Sequence, residues 1–487
     1  MAEASHTIPR AFKMDTYLKT KSRNISLLYT SLELSWLDLC KRYLPVVREN
    51  SLWRFSRESG PEDPEQGWKL HLSATILDAI ELLKKEGPEL SRRGVLFKAP
   101  ASLREVDRLN SGIYYGYSQV GKVLTVYPRN TTEAVELAKL LNRLTYGIKA
   151  PSVPFDRRYS ARGTVFYRYG AFTSLEINEP GRKTKFAIKD PAGNFVEDNR
   201  QSEAKPEWIS DPFVQRRRTI RTKSEVTPLQ TTFKAFRALS QRGKGGVYQA
   251  LDFSVDPARL CVIKQGRRNG ETTWDGRDGY SRVNHEGKVL ALLNRQGLDV
   301  PKVYSAFKLW GAQYLVTEFI HGEDLERWLL AKERRASLSV ALRLCVQISD
   351  LLSRLHSLGW VWRDCKPRNL ILQKNRTLRP IDFEGACLID KPDPLPFGTT
   401  SYLPPEWNEP FRGQSRLPED LYALGSVMYL IVAGCPPDAE KALPIQEMRR
   451  DLPPDLIALI NQLLSSNPQA RPAASEVTHR LNNLRFS

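Results

Sequence analysis

The sequence predicts an α+β protein built as two consecutive folded units, on three observations. A chain of 487 residues is too long for one hydrophobic core. From Gly67 to about Gly170, apolar strand patterns alternate with helical ones. From about Thr232 to Leu484, short motifs follow in fixed order, centred on Trp362-Arg363-Asp364-Cys365-Lys366-Pro367-Arg368-Asn369 and Ile381-Asp382-Phe383-Glu384-Gly385. The expected division is 1–66 as an N-terminal helical segment, 67–225 as the first α+β unit with its linker, and 226–487 as the second unit.

Composition narrows the class. Apolar content of 41% with 26% charged residues fits a soluble globular protein. No apolar run approaches about 18 residues, so no membrane span is predicted. Met1 to Arg10 lack the apolar core of a signal peptide. The six cysteines are scattered without CxxC pairs, which argues against zinc sites or disulfides and for the reducing cytoplasm. A net charge of +18 points to an anionic partner. No recognised nucleic-acid-binding motif accompanies it, so nucleic acid is not predicted. Part of the excess sits in the run from Gln215 to Lys223, which reads as a solvated linker or as a contact for an acidic peptide.

In the first unit, helical patterning around Ile25 to Val47 gives way to a Gly/Pro/Glu-rich break at Ser59 to Gly67. Gly67 to Ser73 then alternates as a strand. Trp68, Leu70 and Leu72 share one face, and Lys69, His71 and Ser73 the other. Lys69 and His71 would sit roughly 7 Å apart at Cα. A helix over Ala74–Lys85, a strand over Gly94–Lys98, a strand over Gly121–Arg129 and a helix capped by Asn130 with Glu133 follow. Then come Asp156-Arg157-Arg158-Tyr159 and Val165-Phe166-Tyr167-Arg168-Tyr169-Gly170. A lysine and a histidine with further cations at strand ends suit phosphate elimination. Neutral lysine removes a Cα proton, protonated histidine gives a proton to the leaving phosphate oxygen, and lysine and arginine hold the dianion. From the residues alone, a solvated strand face also accounts for Lys69 and His71.

In the second unit, Leu239 to Tyr248 reads as strand, Gly-rich turn and returning strand, with Gly243, Gly245 and Val247 expected at nucleotide phosphates. Ser240 and Arg242 occupy two usual glycine places. Cys261-Val262-Ile263-Lys264 is a buried-strand pattern ending in lysine, and Glu286 on the polar side of the next helix would pair with Lys264. Tyr314 to Gly322, containing Glu318, resembles the hinge where backbone groups hold adenine. Asp364 would orient the attacking hydroxyl, Lys366 would steady the γ-phosphate, and Asn369 with Asp382 would hold Mg²⁺. The order resembles the protein kinase pattern HRDxxxxN…DFG, with Trp362 for histidine and Glu384 for glycine. Gly398 to Glu406 resembles the end of an activation segment, and Glu406 with Arg471 reads as a structural pair. The resemblance implies a bilobal protein-kinase fold using ATP (or another nucleoside triphosphate) and Mg²⁺.

Lys69-x-His71 with Phe97-Lys98 downstream resembles the phosphothreonine lyases secreted by bacterial pathogens. The full order, with the TVYP strand, DRRY and YRYG ahead of a degenerate kinase, resembles the N-terminal two-thirds of class III and class IV lanthionine synthetases. That resemblance implies a phosphothreonine-lyase-like α+β domain ahead of the kinase. It implies phosphorylation of Ser and Thr in a ribosomally made precursor peptide, then elimination to dehydroalanine and dehydrobutyrine. By the same resemblance Lys69 is the general base, His71 the general acid and Lys98 a phosphate-binding cation. Arg157 and Arg168 are the phosphate arginines, with Arg158 and Lys122 next. Those synthetases continue into a cyclase, whereas this sequence stops at Ser487. Ring formation in cis is therefore not expected, and a separate cyclase, an uncyclised product or a truncated gene stay open. Two other readings remain: a Ser/Thr kinase whose first unit only binds or regulates, and a pseudokinase scaffold. The retained Lys264, Glu286, Asp364, Asn369 and Asp382 argue against the second.

Overall fold

The computed structural model describes residues 29–49, 51–173, 175–177, 184–200, 205–213, 227–331, 336–407, 416–437 and 444–484. The basic run at 215–223 and the start of the N-terminal helical pattern lie outside the described residues.

The first unit is a seven-stranded antiparallel sheet. Its strands are β1 (Val46–Val47), β2 (Trp53–Phe55), β3 (Gln66–Leu72), β4 (Leu96–Pro100), β5 (Leu124–Tyr127), β6 (Arg157–Arg158) and β7 (Val165–Ala171), in the order β1-β2-β4-β5-β3-β7-β6. One face carries Trp68, Leu70, Leu72, Phe97, Leu124 and Val126 and is fully covered. The cover comes from helices α1 (29–43), α2 (Ala79–Arg92), α3 (Leu103–Ser111) and α4 (Thr131–Leu144). Alternation along β3 thus buries one apolar row and leaves Lys69 and His71 on the opposite face.

Two sequence expectations change. The sheet recruits β1 and β2, and Trp36 of α1 is buried in its core, so this unit begins well before the boundary placed at 66/67. The helix expected over Ala74–Lys85 starts at Ala79 instead, because the preceding segment bonds elsewhere. Ser73 Oγ donates to Pro151 O at 2.8 Å and Thr75 N to Lys149 O at 2.9 Å. The helix then runs through Pro88 to Arg92. The Asn130 cap is as read: its side chain accepts from Glu133 N at 3.0 Å. A small sheet of β8 (Glu176–Ile177), β9 (Lys185–Lys189) and β10 (Phe195–Glu197) completes the unit.

After a short helix α5 (Pro228–Thr231) comes the second unit. Its first lobe is the antiparallel sheet β11 (Phe233–Arg242), β12 (Gly245–Asp252), β13 (Arg259–Arg267), β14 (Val303–Leu309) and β15 (Ala312–Glu318), ordered β11-β12-β13-β15-β14. Helix α6 (Gly279–Arg295) packs on it. Asp278 caps α6, accepting from Ser281 N at 2.9 Å while Ser281 Oγ receives Asp278 N. The second lobe is helical, centred on Leu338–Ser357 and Leu417–Ala433. The latter is buried nearly all round, as its uninterrupted apolar sequence requires.

The two units touch. Tyr29 meets Trp274 edge to face at 4.9 Å, and Trp274 also packs against the first unit's core. Gly243 N, at the tip of the β11–β12 hairpin, donates to Ser111 O at the end of α3, at 2.9 Å.

Candidate active sites

The first site forms on the uncovered face of the seven-stranded sheet. Register sets Lys98, Thr125, His71 and Phe166 in one row across β4, β5, β3 and β7, and places Lys69 opposite Arg168. Residues opposite one another on paired strands share a face, so Lys69, His71, Lys98 and Arg168 converge. Lys98 Nζ lies 4.2 Å from the Trp53 ring centroid, and Lys69 Nζ 5.9 Å from those of Tyr127 and Phe172. Beside this set a cavity of about 970 Å³ is lined by Lys98, Trp53, Ser118, Phe186, Asp198 and Arg200, while Lys69, His71 and Arg168 do not line it.

Arg157 is not brought to this face. It pairs with Tyr167 on the core face, where its Nη1 meets Asp211 Oδ2 at 2.8 Å. The adjacent Arg158 faces the other way, its guanidinium 4.7 Å from the Phe166 ring, and donates to Ser152 Oγ at 2.9 Å. One residue of register separates the two roles.

Three groups that sequence reasoning missed complete the site. Buried Asp156 bonds His71 Nδ1 through Oδ2, and its Oδ1 lies 3.4 Å from Lys122 Nζ. It was visible as the first residue of the DRRY run, where only the arginines drew a role. Asp198 pairs with Arg168 Nη2 and, at 3.2 Å, with Arg200 Nε. The Arg200 guanidinium lies 3.5 Å above the Phe186 ring. Both come from a polar stretch whose sequence carries no periodic signal.

The electrostatics follow from burial among like charges. Burial, then Arg200, Lys98 and Arg168, hold Lys69 well below the ordinary lysine value. Burial, then Arg200 and Lys122, bring Lys98 to about 8. Burial outweighs Asp156 and takes His71 to about 3. For Asp156, burial pushes up, but His71 and Lys122 outweigh it and bring it to about 2. The face therefore holds an excess of cationic side chains over Asp156 and Asp198, and an amine easily made neutral. Such a set can bind a phosphate dianion and move protons at either side of it.

The second site lies between the lobes. Lys264 Nζ reaches Glu286 at 2.6 and 2.9 Å and Asp382 Oδ1 at 3.1 Å. Glu286 also accepts Phe383 N at 3.1 Å. Burial lowers the Lys264 pKa, but Asp382 and Glu286 outweigh it, and the ammonium is held firmly charged. Asp364 accepts from Lys366 Nζ at 2.8 Å and from Asn369 Nδ2 at 2.7 Å, and burial raises it to about 6. Trp362 fills the histidine place usefully. Its indole Nε1 donates to Asp382 O at 2.9 Å and its ring stacks on Phe383 at 5.3 Å. Asp420 accepts Trp362 N and Arg363 N at 2.7 Å each, fixing the loop. Glu406 and Arg471 form the expected pair at 2.7 and 2.8 Å.

Magnesium fits these residues. Asn369 uses its amide nitrogen on Asp364, which leaves the amide oxygen as the acceptor. Burial raises the Asp382 pKa, but Lys264, Lys244 and Lys366 outweigh it and keep the carboxylate anionic. Among the described residues no cluster of three or more His, Cys, Asp or Glu forms a metal cage. An Asp/Asn pair suits a cation that keeps water and phosphate oxygens.

One nucleotide position, Gly243, differs from expectation. Gly243 spends its N–H on Ser111 O, so it does not face a phosphate. The Glu318 carboxylate is taken by Arg379 at 2.7 and 3.1 Å, which leaves only its backbone for a base. Gly245 sits at φ +152, where an added Cβ would lie 1.6 Å from Gln265 O. Val247 lies opposite Lys264 on the paired strand.

A Gly-loop sheet, the Lys264–Glu286 pair and the Asp364/Asn369/Asp382 set define a protein kinase fold joined to a second, cation-lined domain. The chain belongs to the protein kinase family: the model of the protein kinase domain matches residues 236–481. The model described as RamC, N-terminal domain, matches residues 45–225, so the matched part also begins before Gly67. The chain is 28% identical over 356 residues to the Probable SapB synthase of Streptomyces coelicolor, covering 70% of this chain and 38% of that protein. It is 33% identical over 258 residues to the serine/threonine-protein kinase PkaB of Streptomyces coelicolor, covering 45% of this chain and 61% of that protein. It is 26% identical over 269 residues to the serine/threonine-protein kinase pkn3 of Myxococcus xanthus, covering 49% and 47%. The chain thus spans less than two-thirds of the length of each of these relatives. Among the described residues no helix is long and apolar enough to cross a membrane.

Proposed function

We propose that this protein dehydrates Ser and Thr residues of a ribosomally made precursor peptide in two steps, phosphorylation and then elimination of the phosphate. The observation that carries the reading is the convergence of Lys69, His71, Lys98 and Arg168 on one face of a domain joined to a kinase fold. The likeness to a synthase and to Ser/Thr kinases supports it.

In the kinase, Asp364 orients the peptide hydroxyl and takes its proton as the oxygen attacks the terminal phosphorus of ATP or another triphosphate. Lys264 and Lys366 hold the phosphates, and Asn369 and Asp382 would hold Mg²⁺, which would supply neutralisation of phosphate charge. In the lyase, Lys69 removes the Cα proton. The Cα–Cβ double bond forms as the Cβ–O bond breaks. His71 Nε2, the ring nitrogen that Asp156 does not engage, protonates the departing oxygen. Lys98, Lys122, Arg168 and Arg200 hold the phosphate. The dianion brings the charge that raises His71 from about 3 toward protonation.

The lysine roles could also be exchanged, since burial and neighbouring cations lower both amines, Lys98 to about 8. A synthetic phosphoserine peptide distinguishes them, since loss of the base lowers kcat and loss of a phosphate contact raises KM.

The whole reading is tested with the full chain, ATP, Mg²⁺ and a precursor peptide followed by mass spectrometry. It expects loss of one water per modified residue. Phosphopeptide that accumulates without any alkene would leave a kinase with a binding domain.

A further inference from the structure

Two of the departures from the kinase pattern, the degenerate nucleotide loop and Glu384, stand 140 residues apart yet meet: Lys244 Nζ forms an ion pair with Glu384 Oε1. The Lys244 side chain is 23% exposed and that of Glu384 is 9% exposed, so the pair lies under the loop rather than on the surface. Asp382 is near enough for its charge to act on Lys244, and Glu384 acts in turn on Lys264.

The loop is built to aim this lysine. Gly243 N donates to Ser111 O at 2.9 Å, and Arg267 N donates to Lys244 O at 2.8 Å. An added Cβ at Gly243 would lie 1.7 Å from Asn110 O, and one at Gly279 would lie 1.9 Å from Lys244 O. The tip is therefore gripped by backbone on both sides. Side chains on Ser240 and Arg242 hinder the close backbone approach that glycine allows, and the Gly243 N–H is already spent on Ser111 O, so the loop is poorly suited to cradle phosphates with N–H groups alone. A charged side chain can replace them, because an ammonium is a strong phosphate partner on a flexible stem.

We propose that Lys244 is a phosphate-contacting residue of the nucleotide site, and that the terminal phosphates of a nucleoside triphosphate replace Glu384 as its partner. This rests on the kinase reading above. The resting pair keeps Glu384 from repelling incoming phosphates and keeps Lys244 pointed at them.

The test is calorimetry on the full chain with Mg²⁺, using ATP and adenosine, and GTP and guanosine in parallel. Lys244→Met should weaken triphosphate binding at least about 10-fold while leaving the nucleoside unchanged, the scale of one lost charge-assisted bond. Lys244→Arg, which keeps the charge, should stay within about threefold of the parent protein for both. Glu384→Gln should bind triphosphate at least as tightly as the parent. The proposal is overturned if Lys244→Met binds triphosphate like the parent, if triphosphate and nucleoside weaken together, or if Lys244→Arg fails as Lys244→Met does. If the parent protein binds no nucleotide at all, the kinase reading falls with it.

Discussion

Asp156 bonds His71 through Nδ1 and so leaves Nε2 as the ring nitrogen available for chemistry. Lys122, at 3.4 Å, holds the far oxygen of the same carboxylate. A histidine oriented this way has Nε2 for its chemistry and needs no rearrangement to reach a leaving oxygen.

Asp156→Asn should keep the fold but disturb the tautomer and the charge that favours imidazolium. Elimination from a phosphoserine peptide is expected to fall roughly 10²-fold or more, with phosphorylation unchanged. Single-turnover assays on pre-phosphorylated and unphosphorylated peptide separate the two steps.

The neutral amine is the active form of the lysine base, and burial among cations lowers both Lys69 and Lys98. Elimination should therefore gain rate as pH rises through this lowered value and level off well below ~10.4, the ordinary lysine value. A pH–rate limb centred near the ordinary value would exclude both lysines as the base.

Gly243→Ala would drive a Cβ to 1.7 Å from Asn110 O, across the junction between the units. Backbone on that side cannot yield cheaply, so the hairpin must shift and carry Lys244 with it. Phosphorylation should drop by about 10-fold or more, while elimination from phosphopeptide persists. Equal loss of both activities would instead indicate general unfolding.

Asp364→Asn should abolish phosphate addition and leave elimination from a synthetic phosphopeptide intact. Mass spectrometry of both reactions checks it. Retained phosphorylation would remove Asp364 from the catalytic role.

Arg471 is fully buried and forks onto Glu406. Glu406→Ala leaves that guanidinium without its counter-charge and should cost about 3 kcal/mol of stability, visible as a lowered Tm. Nucleotide affinity at the folded baseline should not change.

Much of the kinase site was legible in the sequence because its groups lie on short, stiff pieces of chain. Asp364, Lys366 and Asn369 share one loop, and Asp382 follows one turn later, so spacing alone nearly fixes their meeting. The cap at Asn130 and the two faces of β3 were legible for the same reason, since each depends on neighbours a few residues away. At Glu318 the position at the hinge was readable, but the partner of its carboxylate, Arg379, was not.

In this protein the amino-acid order by itself determined the two-unit organisation, the kinase series and the Lys69/His71 face, all products of short-range periodicity and spacing. Tertiary structure decided what converges. Strand register put Arg157 on the opposite face of the sheet and kept Arg168 beside Lys69, because a shift of one residue reverses every side chain. Long-range packing brought Asp156 to His71, Arg200 to the two lysines, and the α3 end to the nucleotide loop. Such contacts pair residues dozens to hundreds of positions apart, and only the folded chain, where burial and charge are shared between elements, sets them.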